Sequence, residues 1–163
     1  MLKFLFPKLF VDGIDKIDID KLKEMGIKGI AFDIDNTLVP NRGNVLSERI
    51  ESWLKKAELS GIKCYLMSNN TKRRVAEIGE LLNMEGICWS MKPLKRSYLK
   101  VAKILGLRPS EMCVVGDQLF TDILGANYAG MYSILVTPLS GKEGITVRFK
   151  RHIEKIVMKG YKA

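Results

Sequence analysis

The chain has 163 residues, 47% hydrophobic and 28% charged, with a formal net charge of +9. That length suits one domain able to bury a core, and the balance of apolar and charged residues is that of a globular protein rather than a disordered one. The charge is lopsided: residues 1–85 carry 14 Lys and Arg against 13 Asp and Glu, whereas residues 86–163 carry 13 against 5. A basic second half points to an anionic partner, either a phosphate-rich substrate, an anionic membrane or nucleic acid, although a solvated Lys-rich surface explains the same counts. Cys64, Cys88 and Cys113 fall in strand-like runs without metal-type spacing, which reads as buried reduced thiols in a reducing compartment.

In chain order, the segment 1–11 is apolar but interrupted by Lys3, Pro7 and Lys8, and it lacks a small-residue cleavage site, which argues against a signal peptide. No apolar run approaches the ~20 residues that cross a bilayer, so the expected location is cytoplasmic. Leu2, Phe4, Leu5, Phe6, Leu9 and Phe10 with Lys3 and Lys8 leave open a peripheral contact with anionic membrane.

The run over 29–34 predicts a short buried strand, ended by the turn signals Asn36 and Pro40. Asp33 and Asp35 stand two apart, so they share a face of extended backbone. Paired carboxylates repel each other unless a cation, a shared proton or a substrate compensates. A helix is predicted over 47–59, then a strand over 62–67 that ends on Ser68-Asn69-Asn70. The next helix, over 71–83, opens with Lys72, Arg73 and Arg74, which oppose the helix dipole. They either hold an anion near the site or form a basic solvated turn.

A third strand-like run, 87–89, precedes Lys92-Pro93 and a helix over 95–106. A fourth, 112–115, leads into Gly116-Asp117-Gln118-Leu119-Phe120-Thr121-Asp122, followed by a helix over 121–129 and a run over 132–136. The last predicted helix, 145–158, sets Phe149, Ile153, Ile156 and Val157 in an apolar stripe beside Arg148, Arg151 and Lys155. Such a stripe packs on its own domain or lies on anionic lipid. His152, the only histidine, falls outside these motifs and reads as a surface residue. Strand–helix alternation at this spacing predicts an α/β fold, a Rossmann-like parallel sheet with helices on both faces, forming a single domain over 1–163. The strand-end motifs then gather at the carboxyl edge of the sheet, where open α/β folds bind ligands.

Four motifs in order, Asp33-Ile34-Asp35-Asn36-Thr37, Ser68, Lys92 and Gly116-Asp117 with Asp122, each follow a strand-like run. Together they resemble the haloacid dehalogenase-like phosphatases. The resemblance implies that Asp33 attacks phosphorus to form an aspartyl-phosphate, and that Asp35 protonates the leaving alcohol and then activates water. It implies that Ser68 and the Asn69 backbone amide hold a phosphoryl oxygen while Lys92 neutralises developing charge. It also implies Mg²⁺, held by the side chains of Asp33 and Asp117 and the backbone carbonyl of Asp35. Asp122 is then either a water-mediated metal ligand or an orienter of Lys92, and Thr37 shapes the loop through a local hydrogen bond.

Members of that group often insert a cap domain after the first motif or between the second and third. The intervals from Asp33 to Ser68 and from Ser68 to Lys92 leave no space for one. An open site suits a substrate that is bulky, surface-bound or enclosed by a neighbouring subunit in an oligomer. The wording from Asp33 to Pro40 and Ser68-Asn69-Asn70 is similar to the bacterial YqeG family, itself similar to mitochondrial phosphatidylglycerophosphate phosphatases. That likeness implies a phosphomonoester hydrolase acting on a phospholipid, peripheral at the inner face of the membrane. Two other readings stand beside it. One is the same chemistry on another phosphomonoester, such as a nucleic-acid 3′-end or a sugar phosphate. The other is a non-catalytic RNA- or membrane-binding protein, against which the intact Asp33, Asp35, Lys92 and Asp117 argue. No basic patch interleaved with aromatics is evident, which counts against nucleic acid.

Overall fold

The computed structural model describes residues 2–139; the expected helix over 145–158, its basic stripe and His152 lie outside the described residues. Its framework is a sheet of six parallel strands: β1 (Leu9–Val11), β2 (Gly29–Phe32), β3 (Lys63–Met67), β4 (Gly86–Ile87), β5 (Met112–Gly116) and β6 (Tyr132–Val136). Their order across the sheet is β1-β6-β5-β2-β3-β4. The chain leaves β2 in one direction through β3 and β4, then crosses back to lay β5 on the other side of β2. That reversal opens a crevice beyond the carboxyl ends of β2 and β5, the switch point where α/β sheets take ligands.

Helices α1 (Ile19–Glu24), α2 (Glu48–Leu59) and α3 (Lys72–Leu82) supply one apolar layer; α4 (Lys95–Leu105) and α5 (Leu124–Ala129) supply the other. Strand side chains alternate between the two: Ile30 and Phe32 pack with Trp53, Leu54 and Ile78, while Ala31 and Val114 pack with Tyr98 and Val101. Burying each large side chain of this kind contributes about 1.5–3 kcal/mol. Ser47 and Thr71 cap α2 and α3 by accepting the N–H of Ile50 and Arg74. Tyr98 packs against Gly125, where a Cβ would stand 2.2 Å from its ring. The glycine therefore lets α5 close on α4 at that point.

Several elements depart from the sequence-based expectation: β1 and α1 have no counterpart among the expected elements, and the strand expected over 87–89 is the two-residue β4, with Cys88 beyond its end. The N-terminal apolar segment is part of the domain: Leu9–Val11 pairs in register with Ile134–Val136, Leu5 and Pro7 are buried, and Phe4 stacks on Tyr128 at 4.7 Å. A three-residue edge strand is too short to announce itself by alternation. The expected helix over 121–129 is preceded by a π-helical turn, Leu119–Ile123, that carries Asp122. Such turns widen the helix locally and cluster at functional sites. Among the described residues no cap is inserted, and no helix is long and apolar enough to cross a membrane.

Candidate active site

The site begins where β2 stops. The Asp33 N–H still pairs with the Val115 carbonyl at 2.9 Å, and then the chain turns back. The Ile34 carbonyl accepts the N–H groups of Thr37, Leu38 and Val39, while Asn36 adopts φ 65°. Asparagine tolerates that left-handed angle better than most residues, which accounts for its place in the motif. The turn leaves Asp33 buried at the crevice floor and Asp35 half-buried at its rim. Both line a cleft of about 290 Å³, shared with Ser68, Asn69, Asn70, Trp89, Lys92, Gln118 and Thr121. A larger hollow of about 890 Å³ lies between α2 and α3, but no motif residue lines it.

Charge is concentrated on the floor. Lys92 Nζ reaches Asp33 Oδ1 at 2.5 Å and Asp122 Oδ1 at 2.6 Å. Asp33, Asp117 and Asp122 are all buried, each with a carboxylate oxygen within 4.8 Å of the others. Burial pushes Asp33 up to about 8, with Asp122 and Asp117 adding to the rise and Lys92 opposing it. Burial alone would lower Lys92, but Asp122 and Asp33 outweigh it and raise the ammonium, which stays charged. Three buried carboxyl groups share one ammonium in a poorly solvated place, so without a further cation Asp33 tends to hold its proton. Hard oxygen donors arranged in this way fit a divalent cation.

Backbone detail holds the cluster. A Cβ on Gly116 would lie 2.3 Å from the Asp122 carboxyl carbon, so only glycine lets Asp122 sit against the end of β5. The Gln118 N–H donates to Asp122 Oδ2 at 3.2 Å. Thr37, expected to bond locally, instead donates across the crevice to Asp117 Oδ1 at 3.5 Å and ties the first motif to the fourth.

The opposite wall comes from the loops after β3 and β4. Ser68 is buried, and its Oγ accepts the Asn70 N–H at 3.1 Å, which leaves its own proton to donate. The Asn69 side chain clasps the Lys92 segment: Oδ1 accepts from Lys92 N at 2.8 Å and Ser90 Oγ at 2.9 Å, and Nδ2 donates to the Lys92 carbonyl at 3.2 Å. The peptide between Lys92 and Pro93 is cis. Of the seven site residues expected from the sequence, Asp33, Asp35, Ser68, Asn69 and Lys92 line this cleft, while Asp117 and Asp122 are buried beside Asp33 at its floor.

Two neighbours of Asp35 were not anticipated. Arg74 is buried, and its Nη2 donates to Asp35 Oδ1 at 2.9 Å and to the Gly43 carbonyl at 2.6 Å, while Nη1 donates to Asn44 Oδ1 at 2.6 Å. Asn70 Nδ2 holds the other oxygen, Oδ2, at 3.1 Å. Lys72 and Arg73 stay exposed, so the basic turn divides into two surface cations and one inward arginine. Helical spacing carried the signal: Arg74 lies four residues before Ile78, on the apolar stripe with Val75, which a solvated cation would avoid.

Residues 42–130 match the haloacid dehalogenase-like hydrolase family, a span that includes Ser68, Lys92, Asp117 and Asp122. Over 161 residues the chain is 38% identical to the probable phosphatase YqeG of Bacillus subtilis, covering 98% of this chain and 93% of that protein. The chain belongs to the haloacid dehalogenase-like hydrolase family. Within that family it is a phosphatase, similar also to phosphatidylglycerophosphate phosphatase 1, chloroplastic/mitochondrial, of Arabidopsis thaliana, at 29% identity. That match covers 96% of this chain but only 48% of the plant protein, so the chain spans about half the length of that relative. The fold recurs in a haloacid dehalogenase-superfamily hydrolase from Ehrlichia chaffeensis, with TM-score 0.58, 14% identity, and 82% and 97% of the two chains covered.

Proposed function

We propose that the chain, acting as one domain over residues 1–163, is a Mg²⁺-dependent phosphomonoesterase whose substrate is phosphatidylglycerophosphate at the inner face of a membrane. The observation that carries the reading is Lys92 bridging Asp33 and Asp122 on the floor of an open cleft at the sheet's switch point. The similarity to a phosphatidylglycerophosphate phosphatase supports the choice of lipid.

The positions of these groups support a two-step reaction. Asp33 attacks phosphorus in line; the bond from phosphorus to the leaving oxygen breaks, and that oxygen takes a proton from Asp35. Asp35, now a carboxylate, then removes a proton from the water that attacks the aspartyl-phosphate, and Asp33 is released with inorganic phosphate. Ser68 Oγ and the Asn69 backbone N–H hold a phosphoryl oxygen, and Lys92 offsets charge that builds as phosphorus is transferred. Asp33 and Asp117, with the Asp35 backbone carbonyl, would hold Mg²⁺, which when bound neutralises the phosphoryl oxygens. Asp122 restrains Lys92 at 2.6 Å and adds to the negative charge that favours the ion. Arg74 and Asn70 each take one oxygen of Asp35 and so aim the acid.

The absence of a cap among the described residues supports a bulky or surface-bound substrate over a small soluble one. The test is Mg²⁺-dependent phosphate release from phosphatidylglycerophosphate in vesicles, beside soluble sugar phosphates and a nucleic-acid 3′-phosphate, with Asp33→Asn as control. A strong preference for the lipid is expected. Equal or better turnover of a soluble ester would keep the chemistry and reject the lipid.

A further inference from the structure

The loop between β4 and α4 forms one lip of the cleft, and three of its side chains are large, apolar and about half exposed or more: Trp89, Met91 and Leu94 are 63%, 53% and 47% exposed. Trp89 is at once part of this tip and a wall of the cleft. Trp89 and Met91 stand at left-handed backbone angles, φ 47° and 53°, which favour Asn, Asp or Gly and disfavour bulky residues. The frame beneath is anchored: Trp89 N donates to the Asn70 carbonyl at 3.1 Å, Ser90 N to the Ser68 carbonyl at 3.0 Å and Leu94 N to the Met91 carbonyl at 2.9 Å. Apolar tips thus ride on a fixed loop at the mouth of the site.

The segment that carries this tip is basic. Between Glu85 and Glu111 the chain holds six Lys and Arg and no acid. Lys95 and Arg96, both exposed, open α4 directly behind Leu94, where they oppose the helix dipole, and the Arg96 guanidinium lies 4.0 Å from the Met91 sulfur. A tryptophan flanked by apolar and cationic side chains matches the boundary of an anionic bilayer, with rings among the headgroups and cations against lipid phosphates. A lone exposed aromatic fits single-stranded nucleic acid less well, since that partner uses successive stacking rings.

We infer that Trp89, Met91 and Leu94, with Lys95 and Arg96, form the surface by which this protein sits on an anionic bilayer, mouth of the cleft toward the headgroups. The inference rests on the phospholipid reading above and moves the contact from the chain ends to the lip of the site.

The protein carries two tryptophans. Trp53 is buried, its indole N–H bonded to the Ile17 carbonyl at 2.8 Å, so an emission change on adding vesicles reports Trp89. The experiment combines Trp emission with co-sedimentation of the full chain on phosphatidylglycerol vesicles, then on phosphatidylcholine vesicles, both free of phosphatidylglycerophosphate. A blue shift and partition onto the anionic vesicles alone are expected.

Met91→Asn with Leu94→Ser should weaken that partition by about tenfold, from the lost apolar burial. Asn suits the left-handed angle at 91 and Ser suits the N-cap position at 94, so a melting curve should stay unchanged. Lys95→Glu with Arg96→Glu should weaken it by at least about tenfold. No partition, or partition undiminished in the Met91→Asn/Leu94→Ser protein, would overturn the inference. So would the same blue shift on adding single-stranded RNA, or on raising protein concentration without lipid. Hydrolysis of phosphatidylglycerophosphate is assayed separately, so failure of the substrate reading leaves the vesicle result readable on its own.

Discussion

The two sides of the cleft are built on different physics. Its floor comes from the ends of β2 and β5 with Lys92, and its charged groups are nearly dry: Asp117 and Asp122 are each 1% exposed. Charges so placed act through a low effective dielectric and have little freedom to relax. Its rim comes from the turn after β2, which carries Asp35, and the loops after β3 and β4, which carry Asn69, Asn70 and Trp89; these residues reach water, and Asp35 and Asn69 are aimed by hydrogen bonds rather than by burial. Arg74 joins the two regimes, with its guanidinium buried and its partner Asp35 half-exposed. On the proposed reading, the floor positions phosphorus with fixed charge, and the rim handles the proton and the body of the substrate. Change on the floor should therefore cost chemistry outright, and change on the rim should cost it selectively.

The sharpest break is Asp33→Asn, expected to lower turnover on the order of 10⁴-fold or more while the protein still melts cooperatively. Substantial activity in the pure variant would remove Asp33 as nucleophile. On the rim, Arg74→Leu leaves Asp35 without its ion pair. Turnover of alkyl phosphates should fall about a hundredfold, the scale of lost acid catalysis. Turnover of p-nitrophenyl phosphate, whose leaving group departs without a proton, should change far less, and Arg74→Lys should recover part of the loss. Equal losses on both substrates would reduce Arg74 to a structural role.

The floor also predicts a pH dependence of stability in chelator-treated protein. Asp33 titrates at about 8 in the folded chain against an ordinary 3.8, so the folded state keeps a proton that the unfolded state releases. Stability from this group is full below about pH 4 and is lost as pH rises through 8. Melting temperature should decline across that window, Asp33→Asn should flatten the decline, and added Mg²⁺ should reverse it at pH 8. A flat profile in the unmodified protein would contradict the floor's electrostatics. At the small end, Lys55→Ala removes an exposed helix pair with Glu51 at 2.8 Å, distant from both sides, and should leave melting temperature and turnover unchanged.

Local sequence was enough to set the motif residues at strand ends. Apolar runs predicted β2, β3, β5 and β6 close to where they lie, and a parallel sheet brings the ends of successive strands to one edge. Asp33, Ser68 and Asp117 could be placed together for that reason, and the floor was legible because its residues sit just beyond strands. The rim was less so, because its contacts join segments that no local period connects. Thr37 reaches Asp117 across 80 residues, and Arg74 reaches Asp35 across 39. From sequence Arg74 is one of three cations that either hold an anion or form a solvated turn; the angular position of α3 turns it inward to Asp35 and leaves Lys72 and Arg73 in water. The N-terminal strand likewise depends on an edge of β6 that exists only once the sheet is assembled. Periodicity and strand ends are properties of a segment, whereas the partner of a buried charge is a property of packing between segments distant along the chain.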